Sequence, residues 1–291
     1  MSLARVPSAR VLSPDVVSRS AALGVRFFDP VTKSFVADGL SVTATTLLAP
    51  PIRCQAQRNR SHVFVFHRLP GLARFEFSEA AEGEAFSEPG VDLRIEVSDG
   101  LDRFLPFSFE AGAPERGLFA LRCVDSPLSP LADDPAVDLF SAPAREPGAL
   151  FARVRAELWD PDQDAPAAWA YVEAQVENGP TVRGLADERG RVALFFAYPE
   201  PIDLVPGTFS RPLALSPPLV EQRWNVELAV HYAPERPPPK VPDLCSAFSR
   251  PKALLWADFA RTVPLEPLEL RFGRELVART GGGARLWVTP A

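Results

Sequence analysis

The sequence predicts an all-β protein, built as two tandem antiparallel β-sandwiches with an N-terminal arm and a proline-rich linker. Three observations predict it. Prolines number 32 in 291 residues, about twice ordinary usage. They are spread along the chain, and each one inside a helix would cost about 3 kcal/mol. The apolar residues recur at every second position in short segments, as a half-buried strand requires. Several of these segments also repeat in the same order in the two halves.

The elements follow in order. Residues 1–21 carry no periodic pattern and read as an arm. The first strand is Gly24 to Asp29 (GVRFFD), closed by Pro30. Asp38-Gly39 is a turn pair, and LSVTATTLL from Leu40 to Leu48 is the next strand, ended by Pro50-Pro51. His62 to His67 (HVFVFH) is strongly β-prone and stops at Leu69-Pro70-Gly71; Ala73 to Phe77 is read as a short strand. In VDLRIEVSD, Val91, Leu93, Ile95 and Val97 share one face, opposite Asp92, Arg94 and Glu96. FLPFSFE (Phe104–Glu110) and GLFALRCV (Gly117–Val124) complete a sandwich over residues 22–124.

Residues 125–148 hold five prolines and four aspartates and read as a semi-rigid spacer. The second sandwich, 149–291, opens with ALFARVRAELWD and Pro161. AAWAYVEAQVENG follows, then a hairpin at Asp187–Gly190 with a strand through Phe196, and RWNVELAVHY. Asp243 to Phe248 suits a single helical turn. KALLWADF, LELRFGRELVART as a hairpin, and ARLWVTP supply the last strands. The repeat aligns Asp29-Pro30 with Asp160-Pro161, Phe66 to Pro70 with Phe195 to Pro199, and Leu93 to Val97 with Val226 to Val230. Phe66 and Phe196 are expected in the cores.

Net charge is −6, which gives no electrostatic basis for nucleic-acid binding. All basic residues but Lys33, Lys240 and Lys252 are arginine. No apolar run is long enough to span a membrane, and the first twenty residues have no signal-peptide core. Synthesis in the cytoplasm, followed by incorporation into a particle, is the expectation. Cys54, Cys123 and Cys245 are odd in number and widely spaced, so no zinc or redox pattern can be drawn from them.

The residues that could carry chemistry do not form a set. His62 and His67 would point to opposite faces of a straight strand, and His231 ends an alternating strand. No Walker, zincin or nucleophile-elbow motif occurs. Asp160-Pro-Asp-Gln-Asp164 resembles the start of a calcium loop, but Ala165 and Tyr171 stand where glycine and glutamate belong; a solvated turn is the better reading. Gly281-Gly282-Gly283 suits a hairpin tip. No cofactor and no metal are expected, and the protein reads as a non-enzyme.

An ordered set of segments carries a resemblance: Val63-Phe-Val-Phe-His-Arg-Leu-Pro-Gly-Leu72 with Phe75-Glu-Phe77, Leu139-Phe-Ser-Ala-Pro143, Arg153-Val-Arg-Ala-Glu-Leu-Trp-Asp160, Pro166-Ala-Ala-Trp-Ala170, Arg183-Gly-Leu-Ala-Asp-Glu-Arg-Gly-Arg-Val192, Tyr198-Pro-Glu-Pro201 and Leu270-Arg-Phe-Gly-Arg-Glu-Leu-Val277. It is similar to an uncharacterised bacterial family found with phage-tail-like contractile injection systems. Members of that family resemble carboxypeptidase-regulatory-like (transthyretin-like) β-sandwiches. The resemblance implies prealbumin- or immunoglobulin-like domains, no peptidase activity, and other subunits of a large assembly as partners. A structural or adaptor subunit acting through protein contacts is the expected function, and a glycan- or peptide-binding module the alternative. Candidate partner contacts are Arg5 and Arg10 on the arm, Trp169 beside the aspartate-rich turn, and Trp287 near the carboxyl end.

Overall fold

The computed structural model describes residues 20–76, 90–115, 117–123, 135–199, 218–280 and 283–290. Its elements are almost all β, as the composition requires. In the first sandwich, one sheet has the order β2 (Ser34–Val36), β1 (Leu23–Asp29), β6 (Val63–Phe66), β5 (Gln57–Arg58). A short β9 (Val137–Asp138) runs parallel to β1 on its other edge. The facing sheet is β4 (Arg53–Gln55), β3 (Leu40–Thr46), β7 (Val91–Asp99), β8 (Phe107–Ala113). The alternation of β7 is realised as read: Val91, Leu93, Ile95 and Val97 are buried between exposed or half-buried polar residues. Phe27 fills the space between the sheets, edge-on to Phe64 at 5.5 Å and Phe107 at 6.4 Å.

The second half repeats this pairing. β10 (Phe151–Asp160) holds β11 (Ala165–Pro166) and β14 (Arg191–Ala197), as β1 holds β2 and β6. β12 (Tyr171–Val176) lies between β13 (Thr181–Leu185) and β15 (Arg223–His231), which pairs with β16 (Lys252–Trp256). Val42, Ala44 and Thr46 pair with Val97, Ile95 and Leu93; Val172, Ala174 and Val176 pair with Val230, Leu228 and Val226. The third sequence match is therefore also a structural one. The second is one residue out. Leu23 pairs with Phe66 and Val154 with Leu194, so Leu194 is the counterpart of Phe66, and Phe195 points to the opposite face.

Three further strands finish the second half: β17 (Leu268–Arg271), β18 (Leu276–Ala278) and β19 (Arg285–Thr289). β18 and β19 run parallel to β10, as β9 does to β1. The expected hairpin is a turn only, with Gly273 at φ +69°. Its arms go to different strands, β17 to β15 and β18 to β10. β19 also pairs with β16, so the whole half is one ten-stranded sheet folded over its core.

Other departures have local causes. Ala73–Glu76 forms a helical turn, α1, instead of a strand; the chain turns at Arg68 and Gly71, both at positive φ, and the buried Glu76 accepts from the Arg68 amide. Phe77 lies outside the described residues. β8 starts only after Pro106, which has no amide to donate. Of 117–123, only a bridge from Leu118 to Gly24 is β-like.

The linker needs the largest correction. Residues 124–134 lie outside those described, but 135–148 do not behave as a spacer. β9 joins the first sheet, the Leu105 amide donates to the Phe140 carbonyl at 2.8 Å, and Arg145 makes a two-pronged ion pair with Asp29 at 2.6 and 3.1 Å. Burial would raise the Asp29 carboxyl; Arg145, Thr32 and the Val31 amide outweigh that and hold it below its usual range.

The halves are also joined directly. The expected helical turn exists as α2 (Leu244–Phe248), with Asp243 capping the Ser246 amide at 2.8 Å. It sits on the β15–β16 connection, yet Leu244, Ala247 and Phe248 belong to the first sandwich's core. The Ser108 amide of β8 donates to the Pro242 carbonyl at 2.8 Å. Cys123 and Cys245 form a disulfide across the junction, a pairing that the sequence reading did not find.

Two outcomes are expected in chemical denaturation. Phe66→Ala loses about 3–5 kcal/mol, because Phe66 is fully buried. Reducing the Cys123–Cys245 bond, which closes a loop 122 residues long, loses about 4 kcal/mol.

Candidate functional site

In β10, β16 and β19 the residues that point inward are small or aliphatic: Leu158, Ala253, Leu286 and Val288 are buried. Period-two alternation then sends Trp159, Trp256 and Trp287 outward. Register places them side by side, Trp159 opposite Trp287 and Trp287 opposite Trp256. Pro166 pairs with Trp159 at one end, and Pro264 bridges to Trp256 at the other. Five side chains on five adjacent segments thus form a row about 19 Å long.

The row is half-buried and supported. The Arg285 guanidinium lies 3.7 Å from the Trp159 ring centre and donates to Glu157 at 2.8 Å. Phe259 packs edge-on against Trp287 at 5.0 Å and is itself 68% exposed. The Trp256 indole donates to the Thr289 hydroxyl at 2.8 Å. The loop carrying Phe259 is shaped by Asp258, which accepts from the Thr262 and Val263 amides and the Thr262 hydroxyl. Those bonds, the Val263 amide foremost, hold the Asp258 carboxyl below its usual range. Arg261 ties the loop to Asp162 at 2.6 Å. Leu254 and Val263 add exposed apolar area beside it.

Of the sequence-predicted contacts, Trp287 is in this row and Trp169 is not. Trp169 is 3% exposed and cannot be a surface anchor. It sits at φ +57°, donates its indole N–H to the Pro239 carbonyl at 2.8 Å, and has its own carbonyl held by Arg250 at 2.7 Å. It packs with the first core, so it is a junction residue. Arg5 and Arg10 lie outside the described residues. Trp256 and Phe259 were missed, although alternation in KALLWADF could have placed Trp256 outward.

The ionisable groups singled out in the sequence are dispersed. His62 is exposed at φ +60° and lies before β6. His67 faces Glu76 at 3.9 Å. Asp160 is fully buried and spends one oxygen on the Asp162 and Gln163 amides, closing its turn. Asp162 is taken by Arg261. The calcium-like run is thus a capped turn, and among the described residues no group of three or more ligating side chains comes together.

One ionisable cluster does form, at the junction. Tyr171 donates to Glu173 at 3.0 Å, the Nε2 of His231 is 4.0 Å from Glu173, and Arg183 is 3.5 Å from it. Asp138 of β9 faces this group. Burial raises its carboxyl to about 6, with Arg183 opposing. Its Oδ1 has no hydrogen bond among the described residues.

No protein-family model matches the chain, and no curated protein matches it in sequence. Among solved structures, the C-terminal fragment of the pilus adhesin SpaC from Lactobacillus rhamnosus GG aligns over 91% of this chain and 95% of that one. Its sequence identity is 8% and its TM-score 0.19, too low to bear on function.

The Asp138 geometry fixes a pH dependence. Its folded pKa lies above the unfolded value, so its contribution is fully favourable below about pH 4 and is lost as pH rises through 6. Asp138→Asn should raise stability at pH 7 by about 1–3 kcal/mol and flatten the slope between those values, as read by urea titration across pH.

Proposed function

We propose that the protein is a non-catalytic adaptor or structural subunit, held in a larger assembly by protein contacts at the aromatic row. The observation that carries this reading is what happens to the same face in the first sandwich. Phe35, Phe28 and Asp138 are the counterparts of Pro166, Trp159 and Trp287, because Phe28 pairs with both Phe35 and Asp138. Phe28 and Asp138 are each 7% exposed, and the groups facing Asp138 are Arg183 and Tyr171 of the second sandwich. In one unit of the duplicated fold, this face meets another β-sandwich. In the other it is half-exposed among the described residues and carries three tryptophans, the residue type most enriched at interface hot spots.

A protein surface suits the row better than a sugar. Arg285 already occupies a face of Trp159, and Phe259 packs against Trp287. What remains outermost is Phe259, Leu254 and Val263, an apolar edge more than a flat stacking platform. The segment resemblance to injection-system proteins names a contractile, phage-tail-like particle as the assembly to examine. The Cys123–Cys245 bond suits a protein that works in oxidising surroundings.

Phe259→Asp alters an exposed side chain and should leave the thermal midpoint unchanged. We expect it to cut recovery of the protein in large assemblies from its native host by about tenfold or more. Recovery equal to wild type, or wild-type protein found only as free monomer beside intact particles, overturns the reading.

A further inference from the structure

A second surface differs between the two sandwiches: the outer edge of β8. Its counterpart is β16, since Val97 pairs with Phe107 and Val230 with Ala253. The outer edge of β16 is filled by β19. On β8, Ser108 points away from β7 and is taken by the Pro242 carbonyl. Strand alternation sends the N–H and C=O of Glu110 and Gly112 the same way, and no hydrogen bond from another described residue meets them. A groove of about 620 Å³ runs along this edge, walled by residues 119–122 and Cys245 and underlain by Phe119 and Leu121.

We propose that this edge is a strand-acceptor site for the N-terminal arm of a second copy of the chain. An extended segment there would pair with Glu110 and Gly112 through their four backbone groups, the mode of β-strand addition. An open edge of this kind is otherwise a liability. In the arm, Ser8 to Ser13 (SARVLS) is bracketed by Pro7 and Pro14, which limits the pairing stretch to a length that fits two outward positions. If extended, it would put Ala9 and Val11 on one side for the apolar floor and Arg10, with Leu12, on the other toward the rim. Among the described residues the rim carries Asp92, Glu110 and Glu115 against Arg122, and counting Arg94, 3.5 Å from Glu110, leaves them one charge acidic. The arm, 1–19, carries Arg5, Arg10 and Arg19 against Asp15.

The chain's path favours another copy over its own arm. The Ser20 amide donates to the Glu76 carbonyl and the Ala22 amide to Phe66, on the β6 side of β1. The groove opens beyond residues 115–119, which lie along the other edge of β1. Nineteen extended residues reach about 60 Å, enough to join a neighbour.

The test is the solution mass of the full-length protein, followed by light scattering over a wide concentration range. Wild type should self-associate. Gly112→Pro removes one outward amide and leaves the β7 ladder intact, and it should weaken association by more than about tenfold. Gly112→Ala places its Cβ in open space, keeps the amide, and should associate like wild type. Arg10→Glu, on the arm itself, should weaken association too, and decides the question if Gly112→Pro does not fold. A wild type that is monomeric throughout, or a folded Gly112→Pro that associates normally, overturns the proposal. Phe259→Asp should leave this self-association unchanged, which separates it from the aromatic row.

Discussion

The arrangement of the whole chain depends on one short helix being buried in the wrong half. α2 grows from the β15–β16 connection of the second sandwich, but Leu244, Ala247 and Phe248 complete the core of the first. Phe248 packs at a tilt against Phe140 and edge-on against Tyr171, with ring centres 6.0 and 5.0 Å apart. An apolar turn lent across the junction makes separation costly, because each half would expose core area as it left. The Pro242 carbonyl on Ser108 and the Cys123–Cys245 bond lie next to the helix and fix where it enters. Burial therefore sets the relative pose of the halves, and the covalent bond locks a contact already made by packing.

Given that pose, the duplicated topology explains why equivalent residues have different roles. A position on the parallel strand beside β1 or β10 is Asp138 in the first unit and Trp287 in the second. The first is buried beside Arg183 and Tyr171, and that burial raises its carboxyl pKa although Arg183 opposes it. The second faces outward beneath Phe259. The turns were kept where geometry demanded them. Asp29 and Asp160 each cap the loop after the first strand of their unit with their own side chain. Short-range hydrogen bonding preserves such turns whatever the outer face is used for.

The same distinction explains which features could be read from sequence. Period-two alternation locates β7 and β15 and groups the apolar residues of each on one face, because burial imposes that pattern residue by residue. Asp243 as a helix cap was legible for a local reason too. The disulfide was not: 122 residues separate its cysteines, and only the folded junction brings them together. The linker was misread because its prolines were taken as a sign of separation, when Arg145 and Phe140 anchor it to the first sandwich. Trp169 is a candidate contact by sequence but a buried one in the fold, because a loop 70 residues away covers its indole. Trp287 carried a usable signal, but its neighbours Trp159 and Trp256 come from distant strands, so the row exists only in the sheet.

The two halves of the chain meet through different faces: the outer side of β9 in the first, and the outer side of β12 and β13 in the second. A contact of this kind is heterologous, and repeating it does not close on itself the way a two-fold interface does. In the second unit the counterpart of that first face is the half-buried aromatic row. β19 also fills the outer edge of β16, whereas along the outer edge of β8 no backbone hydrogen bond from another described residue meets Glu110 or Gly112. Both asymmetries arise within a single duplicated fold. Each traces to the two parallel strands of the second unit: β18 and β19 run along β10 over the positions that the two-residue β9 covers only in part on β1.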